Sequence, residues 1–307
     1  MVIDRLPPGH LFFSNHRPIP VGGRISAAFL RSVLVIGGIA MYIKVCAPPF
    51  RGPLSNKEEK MEVRILKNKT EMSKAAAAYG ASVLRKVLAE KGAANMIAAT
   101  APSQFEMMSF LVKEPGIDWS KVTLFHLDEY IGLPKGHKAG FRLNLRENFI
   151  DKLPCRLAEV FFVDGDTDDP KAFCAEMRKI MAAHPVDIAF IGVGENGHIA
   201  FNDPPADFDT DEAFLVVKLD DACRRQQLGE GWFPTFDAVP THAFSMSVPQ
   251  IFKSKVIVNV VPDERKAKAV KGMLEGPVTN TCPCSILQKH PCCATFLDEA
   301  SASLLKK

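Results

Sequence analysis

One glycine-rich stretch, residues 186–204, carries a histidine with the chemistry to move protons and two side chains that could orient it. The stretch begins with an apolar, β-branched run that predicts a buried parallel strand, and the loop after it carries Asn196, His198 and Asp203. Ligands of open parallel sheets bind beyond the carboxyl ends of the strands. A histidine needs a second group that fixes its tautomer before it can transfer a proton, and Asn196 and Asp203 are the candidates. The alternative is a turn in which His198 only hydrogen-bonds the backbone.

The same stretch contains the spacing G-x-G-x-x-G at Gly192, Gly194 and Gly197, which is a dinucleotide-binding fingerprint when a long helix follows it. In that fingerprint the N-terminus of the helix holds the pyrophosphate. Pro204 and Pro205 follow too soon for such a helix, so we reject a dinucleotide site. The glycines instead let the backbone approach a ligand closely, and we predict that Gly197 contacts the substrate.

A second apolar run, residues 121–126, is followed closely by two neighbouring acids, Asp128 and Glu129. Successive side chains of a strand point to opposite faces, so at most one of these acids faces a given site and the other fixes a loop. Acids that merely solvate a strand end are the alternative. With His198, this motif places a carboxylate and an imidazole at the same edge of one sheet, as expected for proton transfers on a small substrate.

Two further segments have the chemistry to bind an anion. One is a predicted strand-to-helix turn at Thr100, Ser103 and Gln104, where hydroxyl groups at a helix N-terminus form an anion site. The other is Lys266, near the start of a helix, which would add a point charge to a phosphate. The alternatives are an ordinary turn and a solvated surface lysine.

Strand and helix patterns alternate from residue 61 onward. Strands are predicted at 62–66, 94–99, 121–126, 159–163, 186–192, 214–219, 255–261 and 294–297. Helices are predicted at 71–91, 103–113, 140–151, 168–183, 263–275 and 299–306. The alternation predicts an α/β fold with a mainly parallel, doubly wound (Rossmann-like) sheet and helices on both faces, in a single domain. Residues 222–242 have weak periodicity and are a candidate lid or substrate loop.

The composition is that of a soluble globular protein, with 307 residues, 47% hydrophobic and 24% charged. The net charge of +3 comes from scattered basic residues, which argues against nucleic acid and for small-molecule partners. The 8 cysteines lack zinc-finger spacing and indicate reduced thiols in a cytoplasmic protein. The cysteines between 282 and 293, with His290, keep a metal site open as an alternative.

Residues 1–60 differ from the rest of the chain and are rich in Pro, Gly and Arg around an apolar stretch from Ile25 to Ile43 that only Arg31 interrupts. A membrane anchor through residues 25–43 and a signal peptide are both open readings. Met61 begins a clean first strand. We therefore predict that residues 1–60 are an extension that is poorly structured or non-native, and that residues 61–307 form the functional domain without contacting a membrane.

The two strand-end motifs resemble those of the glucosamine-6-phosphate deaminase (isomerase) family, whose relatives include the 6-phosphogluconolactonases. The run from Phe125 to Pro134 is similar to the family's Asp-Glu-Tyr-x-Gly-Leu-Pro motif. The run from Gly192 to Pro204 is similar to its Gly-x-Gly-x-[Asp/Asn]-Gly-His-Ile-Ala-Phe-Asn-[Glu/Asp]-Pro motif. Lactonases typically carry Asp-Glu-Arg at the first site and Gly-His-Thr-Ala-Ser at the second, so Tyr130 and the run Ile199 to Asn202 favour the deaminase branch.

The resemblance implies a mechanism. His198 would help to open the sugar ring by moving the O5 proton. Asp128 would take the C2 proton of the open-chain amino sugar and return it at C1, and water would release ammonia to leave fructose-6-phosphate. Thr100 and Ser103 match the family's phosphate loop, and Lys266 matches its phosphate-binding lysine. No metal or organic cofactor is implied. A base that returns its proton works best with a pKa near neutrality, which burial supplies.

The chain departs from the family pattern at three places. Asn196 stands where the best-studied branch of the family has an aspartate that orients the histidine, and Asp203 stands where that branch has a glutamate. An asparagine can hydrogen-bond the imidazole but cannot stabilise its charged form, so ring opening is slower or relies on Asp203. In the phosphate loop, Pro102 removes a backbone donor. For the family's arginine before the lid, Arg224 and Arg225 are the candidates.

Two other functions stay open at this point. One is a different sugar-phosphate reaction such as lactone hydrolysis, and the other is a non-catalytic phosphosugar-binding regulator on the same fold. A homo-oligomer also stays open. Loss of the Asp128 carboxylate distinguishes an enzyme from a regulator, because a regulator would tolerate it.

Overall fold

The computed structural model describes residues 61–306 and the backbone of two strands that precede them. These strands, Ser32–Ile36 (β1) and Ile39–Ile43 (β2), pair antiparallel and lie within the stretch considered as a membrane anchor. The rest of residues 1–60 lies outside the described residues, and so does the prediction that this extension is poorly structured or non-native. In the described part of the chain, no helix combines the length and the apolar character needed to cross a membrane.

The strands of residues 61–306 follow in chain order. They are Glu62–Leu66 (β3), Ala94–Ala98 (β4), Val122–His126 (β5), Asp128–Tyr130 (β6), Glu159–Phe161 (β7), Ile188–Ile191 (β8), Phe214–Lys218 (β9), His242–Met246 (β10), Val256–Val261 (β11) and Cys293–Asp298 (β12). The α-helices are Lys69–Lys91 (α1), Pro102–Leu111 (α2), Phe141–Asn148 (α3), Pro170–Ala183 (α4), Asp221–Gly229 (α5), Val248–Phe252 (α6) and Ala267–Glu275 (α7).

Seven of these strands form one sheet in the order β3-β12-β11-β8-β4-β5-β7, and every neighbouring pair in it is parallel. The predicted parallel, doubly wound α/β fold is therefore confirmed. A second sheet, β6-β10-β9, is antiparallel and has three strands. The central strands are apolar on both sides because helices cover both faces of the main sheet.

The two faces of the sheet belong to separate hydrophobic clusters, and adjacent residues of one strand alternate between them. Met96 of β4 and Phe190 of β8 face the cluster built with α1 and α2, whereas Ile97 and Ile191 face the cluster built with α4 and α7. This alternation follows from the two-residue period of a strand. It explains why these strands read as unbroken apolar runs in the sequence.

The first helix shows how local sequence fixes an element against the sheet. The Asn68 side chain accepts a hydrogen bond from the backbone N–H of Glu71, and Gly92 ends α1 in the left-handed conformation at φ 76°. Gly80 allows the close packing, because a Cβ atom there would lie 2.3 Å from a ring carbon of Phe190.

The connections define one switch point in the main sheet. After β4 the chain continues to β5 and β7 on one side, and β8, β11 and β12 lie on the other side. The strands β4 and β8 are neighbours, and the loops that leave their carboxyl ends run toward opposite sides of the sheet. A crevice at this position is where ligands of doubly wound sheets bind.

Some predicted elements were wrong. The predicted helix at 299–306 is a series of turns, because the Asp298 side chain accepts from the backbone N–H of Ser301 and the Ser301 hydroxyl donates back to the Asp298 carbonyl. The strand predicted at 214–219 exists as β9, but it belongs to the antiparallel sheet. No element was predicted from the sequence at β6, β10, α5 or α6.

Candidate active site

A cavity opens at the switch point between β4 and β8. It encloses about 640 Å³ of space, its open mouth included. Six residues predicted for the site line this cavity: Thr100, Ser103, Gln104, Asp128, His198 and Lys266. The structure therefore brings the acid after β5, the histidine after β8 and the predicted anion-binding residues to one place.

His198 is oriented by Asp203. The Nδ1 atom of the imidazole lies 2.9 Å from Oδ1 of Asp203. Burial raises the pKa of the Asp203 carboxyl group, but the hydrogen bond and charge of His198 and the donors Asn196 and Asp220 outweigh burial and lower it overall. Asp203 is thus a carboxylate. A carboxylate at Nδ1 places the proton of the neutral ring on Nδ1 and leaves Nε2 as the proton acceptor.

Asn196 acts on this pair indirectly. Its Nδ2 atom donates to Oδ1 of Asp203 at 3.0 Å, and its Oδ1 atom accepts from the backbone N–H of His198 at 3.1 Å. The asparagine amide therefore holds the carboxylate and the loop, and its contacts do not include the ring of His198. Two outcomes were expected from the sequence: slower ring opening, or reliance of the histidine on Asp203. The geometry supports the second.

Two glycines of the loop have different roles. Gly194 makes room for the histidine, because a Cβ atom there would lie 2.1 Å from Nε2 of His198. Gly197 has φ 88° and faces away from the cavity toward Cys282 and Cys284. Its left-handed backbone turns the chain into His198. The structure therefore does not bring Gly197 to the cavity wall, and its contact with the substrate stays a prediction.

Asp128 lies at the start of β6 and is buried in the cavity wall. Burial raises the pKa of its carboxyl group well above its ordinary value, and the neighbouring carboxyl group of Glu129 raises it further. No hydrogen bond from the described residues opposes this shift. The arrangement is that of a proton acceptor whose pKa is moved toward neutrality.

Glu129 has the loop-fixing role expected for one of the two acids. Its carboxylate accepts from the backbone N–H groups of Tyr130 at 2.9 Å, Phe141 at 3.1 Å and Arg142 at 2.7 Å. Burial raises the pKa of Glu129, and these backbone donors oppose the rise. The side chain binds the N-terminus of α3 to β6, which fixes the strand that carries Asp128.

The turn from β4 into α2 forms another part of the cavity wall. The Thr100 hydroxyl is buried there and has no hydrogen-bond partner among the described residues. No side chain caps the start of α2 at Ala101. Gln104 has mainly a structural contact, because its Nε2 atom donates to the carbonyl of Val260 at 2.9 Å. An unpartnered buried hydroxyl beside an uncapped helix N-terminus favours a bound anion.

Lys266 and Arg265 place positive charge in the cavity. Lys266 is only 4% exposed, and burial lowers the pKa of its ammonium group. Arg265 also lines the cavity and pairs with Glu195 at 3.5 Å and Glu230 at 3.9 Å. Arg265 was not predicted from the sequence, although its position beside Lys266 after the end of β11 was an available signal. These two cations are the residues best placed to bind a phosphate.

The candidate lid, residues 222–242, begins within α5, which brings Gln226 and Gln227 to the cavity. The arginines considered for phosphate binding point elsewhere. Arg224 donates to the carbonyls of Phe236 and Val239 at 2.9 Å each, and its guanidinium lies 4.0 Å from the centre of the Phe236 ring. Arg225 also lies over Phe236 and is not part of the cavity wall. Neither arginine reaches the cavity in this conformation.

One group of metal-ligating side chains was found among the described residues. Ligand atoms of His198, Asp203 and Cys223 lie within 4.8 Å of one another. Burial raises the pKa of the Cys223 thiol, so it is protonated, and Asp203 already accepts from His198 and Asn196. The hydrogen bonds complete this group without a cation. Of the cysteines near the C-terminus, Cys292 is exposed and is not part of a metal-ligating group in the described residues.

The fold and the cavity define a doubly wound α/β protein with an acid–base site at the switch point of its sheet. The chain belongs to the family of glucosamine-6-phosphate isomerases and 6-phosphogluconolactonases, whose profile matches residues 67–295. This finding confirms the resemblance that the two strand-end motifs indicated.

Similar proteins come from both branches of the family. A protein of Lactobacillus delbrueckii subsp. bulgaricus named glucosamine-6-phosphate deaminase is 36% identical over 248 residues, which cover 80% of this chain and 100% of that protein. A deaminase of the same name from Enterococcus faecalis is 38% identical over 191 residues, 62% of this chain and 78% of its own.

Among solved structures, a monomeric glucosamine-6-phosphate deaminase superposes with a TM-score of 0.73 at 28% identity and covers 80% of this chain and 100% of its own. The 6-phosphogluconolactonase of Thermotoga maritima has a TM-score of 0.64 at 15% identity over 78% of this chain and 100% of its own, which shows a shared fold alone.

Proposed function

We propose that this chain is a glucosamine-6-phosphate deaminase, which converts glucosamine-6-phosphate and water to fructose-6-phosphate and ammonia. The observation that carries the proposal is that Asp128, His198 and Lys266 line one cavity. A buried carboxyl group, an imidazole with a fixed tautomer and a buried cation are the groups that a proton-transfer reaction on a sugar phosphate needs. The relatives named as deaminases support the choice of substrate.

Ring opening is the step that we assign to His198. The Nδ1 atom donates to Asp203, so Nε2 is free to accept a proton from the sugar. In the reaction, the C1 hydroxyl loses its proton and the ring oxygen O5 gains one as the C1–O5 bond breaks. The imidazolium that forms in between is stabilised by the Asp203 carboxylate, as in other carboxylate–histidine pairs.

Isomerisation is the step that we assign to Asp128. Its carboxylate takes the proton from C2 of the open-chain aldehyde, the electron pair of the C–H bond forms the C1–C2 double bond, and the aldehyde oxygen takes a proton from the ammonium group at C2, which gives an enol amine. The same carboxyl group then returns the proton to C1, which leaves an imine at C2. Water adds to the imine and ammonia leaves, so the nitrogen departs with the hydrogens that water and the amine supply. A raised pKa suits both directions of this proton transfer.

Phosphate binding is the role that we assign to the cationic part of the cavity. Lys266 and Arg265 supply charge, Thr100 supplies a buried hydroxyl without a partner, and Ser103 lies at the start of α2. Arg265 would exchange its carboxylate partners for the phosphate. The departure of the phosphate loop from the family pattern at Pro102 is thus offset by a cation that the pattern does not predict.

In this proposal the chain acts on a C–N bond as a hydrolase with an isomerising step, in the catabolism of amino sugars in the cytoplasm. Its substrate is a small sugar phosphate, and neither nucleic acid nor a membrane takes part. The reaction uses no metal or organic cofactor, because side chains supply each proton transfer.

An ammonia-release assay tests the proposal. The full-length chain and its Asp128→Asn variant are incubated with glucosamine-6-phosphate, and ammonia and fructose-6-phosphate are measured. We expect equal amounts of both products from the wild type and none above background from the variant. Hydrolysis of 6-phosphogluconolactone without ammonia release from glucosamine-6-phosphate would assign the chain to the other branch. Binding of the sugar phosphate without either reaction would assign it to a regulator.

A further inference from the structure

Two cysteines outside the proposed catalytic groups lie close enough to react with each other. The Sγ atoms of Cys282 and Cys284 are 3.7 Å apart, and only Pro283 separates the two residues in the chain. Cys282 is partly exposed and Cys284 is buried. A disulfide has an S–S distance of about 2.05 Å, so the pair needs only a small approach to form one.

The pair packs against the loop that carries His198. A Cβ atom at Gly197 would lie 3.4 Å from both sulfur atoms, and the backbone N–H of Cys284 donates to the carbonyl of Gly197 at 2.9 Å. Since Gly197 directly precedes His198, the position of Cys284 is coupled to the position of the histidine by one hydrogen bond and one peptide unit.

The pair also packs against helix α7, which follows Lys266. A Cβ atom at Gly272 of α7 would lie 3.0 Å from Sγ of Cys282, and Sγ of Cys284 contacts the carbonyl of Ala269 at 3.8 Å. The two sulfur atoms thus lie between the His198 loop and the helix that begins beside the buried lysine. Cys284 is joined to both elements, through its hydrogen bond to the Gly197 carbonyl and the contact of its sulfur with the Ala269 carbonyl.

We propose that Cys282 and Cys284 form a redox-active dithiol, and that its oxidation to a disulfide slows the reaction at the neighbouring cavity. The first part, the oxidation itself, stands on the sulfur geometry alone. The second part rests on the proposed function, because the reaction that slows is the deamination. The oxidant is a hydroperoxide of the class that includes hydrogen peroxide.

The chemistry balances with that oxidant. The Cys282 thiolate attacks one oxygen of the peroxide, the O–O bond breaks, and the sulfur becomes a sulfenic acid while the other oxygen leaves as water. The Cys284 sulfur then attacks the sulfenic sulfur, an S–S bond forms, and hydroxide leaves and takes up the Cys284 proton as a second water. Two thiols lose two electrons, and one peroxide gains them.

The two thiols differ in the way that these two reaction steps require. The hydrogen bond from Cys284 lowers the pKa of the Cys282 thiol to about 7, so that a large fraction of the accessible sulfur is thiolate near neutral pH. The same contact and burial raise the pKa of the Cys284 thiol, which stays protonated and sheltered. An accessible thiolate beside a resolving thiol is the arrangement of redox-sensing cysteines.

We expect oxidation to shift the His198 loop or α7, because Cys284 is bonded to both. The sulfur atoms have to approach each other by about 1.6 Å from their present separation of 3.7 Å. Misplacement of a catalytic group by about 1 Å costs up to about 100-fold in rate, so we expect disulfide formation to lower kcat by about 10-fold. The effect should be reversible, because a thiol reductant regenerates both cysteines.

The experiment uses the full-length chain and follows the cross-link and the activity separately. The reduced protein is treated with hydrogen peroxide, then with dithiothreitol, and at each stage peptide mass spectrometry locates disulfides while ammonia release gives kcat. Cys282→Ser and Cys284→Ser remove the two partners. Cys155→Ser and Cys292→Ser are matched controls that remove exposed thiols elsewhere.

We expect a Cys282–Cys284 link that appears with peroxide, lowers kcat by about 10-fold and disappears with dithiothreitol. Peroxide should leave the kcat of both Cys282 and Cys284 variants unchanged and should slow both controls like the wild type. Absence of this link, or a link through Cys46 or Cys155 instead, overturns the dithiol. A complete link with unchanged kcat overturns the coupling. If the reduced chain releases no ammonia, the proposed function fails, and the mass spectra still decide whether the dithiol forms.

Discussion

The cavity wall at Asp128 and the loop at Asp203 both bury a carboxyl group, yet the two groups have opposite character. Burial raises the pKa of Asp128 well above its ordinary value, and the nearby carboxyl group of Glu129 adds to the rise. The pKa of Asp203 is lowered although burial raises it, because His198 and Asn196 direct hydrogen-bond donors at the carboxylate. Burial alone therefore does not decide the protonation state.

The difference lies in how each segment presents backbone and side-chain donors. The Glu129 carboxylate accepts hydrogen bonds from three backbone N–H groups, and none of these groups donates to the adjacent Asp128. The His198 loop reverses direction at Gly197, which brings hydrogen-bond donors to the Asp203 carboxylate. One carboxyl group is thus suited to exchange a proton with substrate, and the other is suited to hold a charge beside an imidazole.

The largest expected effect comes from Asp128→Asn. The amide cannot accept the C2 proton, so we expect ammonia release to fall by about 10³- to 10⁴-fold. Folding raises the pKa of Asp128, so its contribution to stability is full below the unfolded-state pKa and is lost as the pH rises through the folded-state pKa. The variant should therefore unfold at a higher temperature than the wild type at pH 7. A less stable, inactive variant would contradict this account of Asp128.

Asp203→Asn should have the opposite effect on stability. An amide cannot stabilise the imidazolium, and we expect kcat to fall by about 100-fold or more. The folded-state pKa of Asp203 is lowered, so its contribution is present above the unfolded-state pKa and is lost as the pH falls through the folded-state pKa. The free energy of unfolding at pH 7, measured in urea, should fall by about 1 to 3 kcal/mol. If both aspartate variants changed stability in the same direction and by the same amount, the contrast between the Asp128 and Asp203 carboxyl groups would be contradicted.

The fold could be predicted from the sequence because its core strands are apolar on both faces and alternate with helices. The run Ile188 to Ile191 shows this most clearly, since residues of both cluster faces follow one another. The sheet to which β9 belongs could not be predicted, because Phe214–Lys218 has an ordinary strand pattern and its antiparallel partner β10 is defined only by tertiary pairing. The helix expected at 299–306 failed because hydrogen bonds at Asp298 favour turns.

The site was predictable where residues follow the carboxyl ends of adjacent parallel strands. Asp128, Thr100 and His198 satisfy this condition, because the strand order then fixes their proximity. Gly197 lies outside the cavity wall because its positive φ reverses the direction of the chain, and spacing does not reveal that reversal. Arg265 was missed because its approach to the cavity depends on the short 3₁₀ turn Glu264–Lys266.

Lys266→Met tests the cationic part of the cavity with a smaller expected effect. The methionine has a similar length but no charge, so we expect KM for glucosamine-6-phosphate to rise by about 10- to 100-fold while kcat changes less. Lys268→Met is the matched control, because Lys268 lies two residues further along the chain, in α7, and is exposed. A loss confined to kcat in steady-state kinetics would show that Lys266 does not act through binding of the phosphate.

The smallest expected effect is that of Asn196→Asp, which changes the charge around Asp203 without touching the histidine ring. The substitution replaces the Nδ2 donor, now 3.0 Å from Oδ1 of Asp203, by a second carboxylate. Like charges raise the pKa of Asp203, so it becomes protonated at a higher pH than in the wild type. We expect kcat/KM to fall by about 3-fold at pH 8 and more at lower pH, because the protonated Asp203 no longer stabilises the imidazolium. Asn196→Ala removes the donor without adding charge, and its pH profile should lie closer to that of the wild type. If the two variants share one pH profile, the lost hydrogen-bond donor matters and the added charge does not. The difference between the two carboxyl groups would then rest on hydrogen bonds alone.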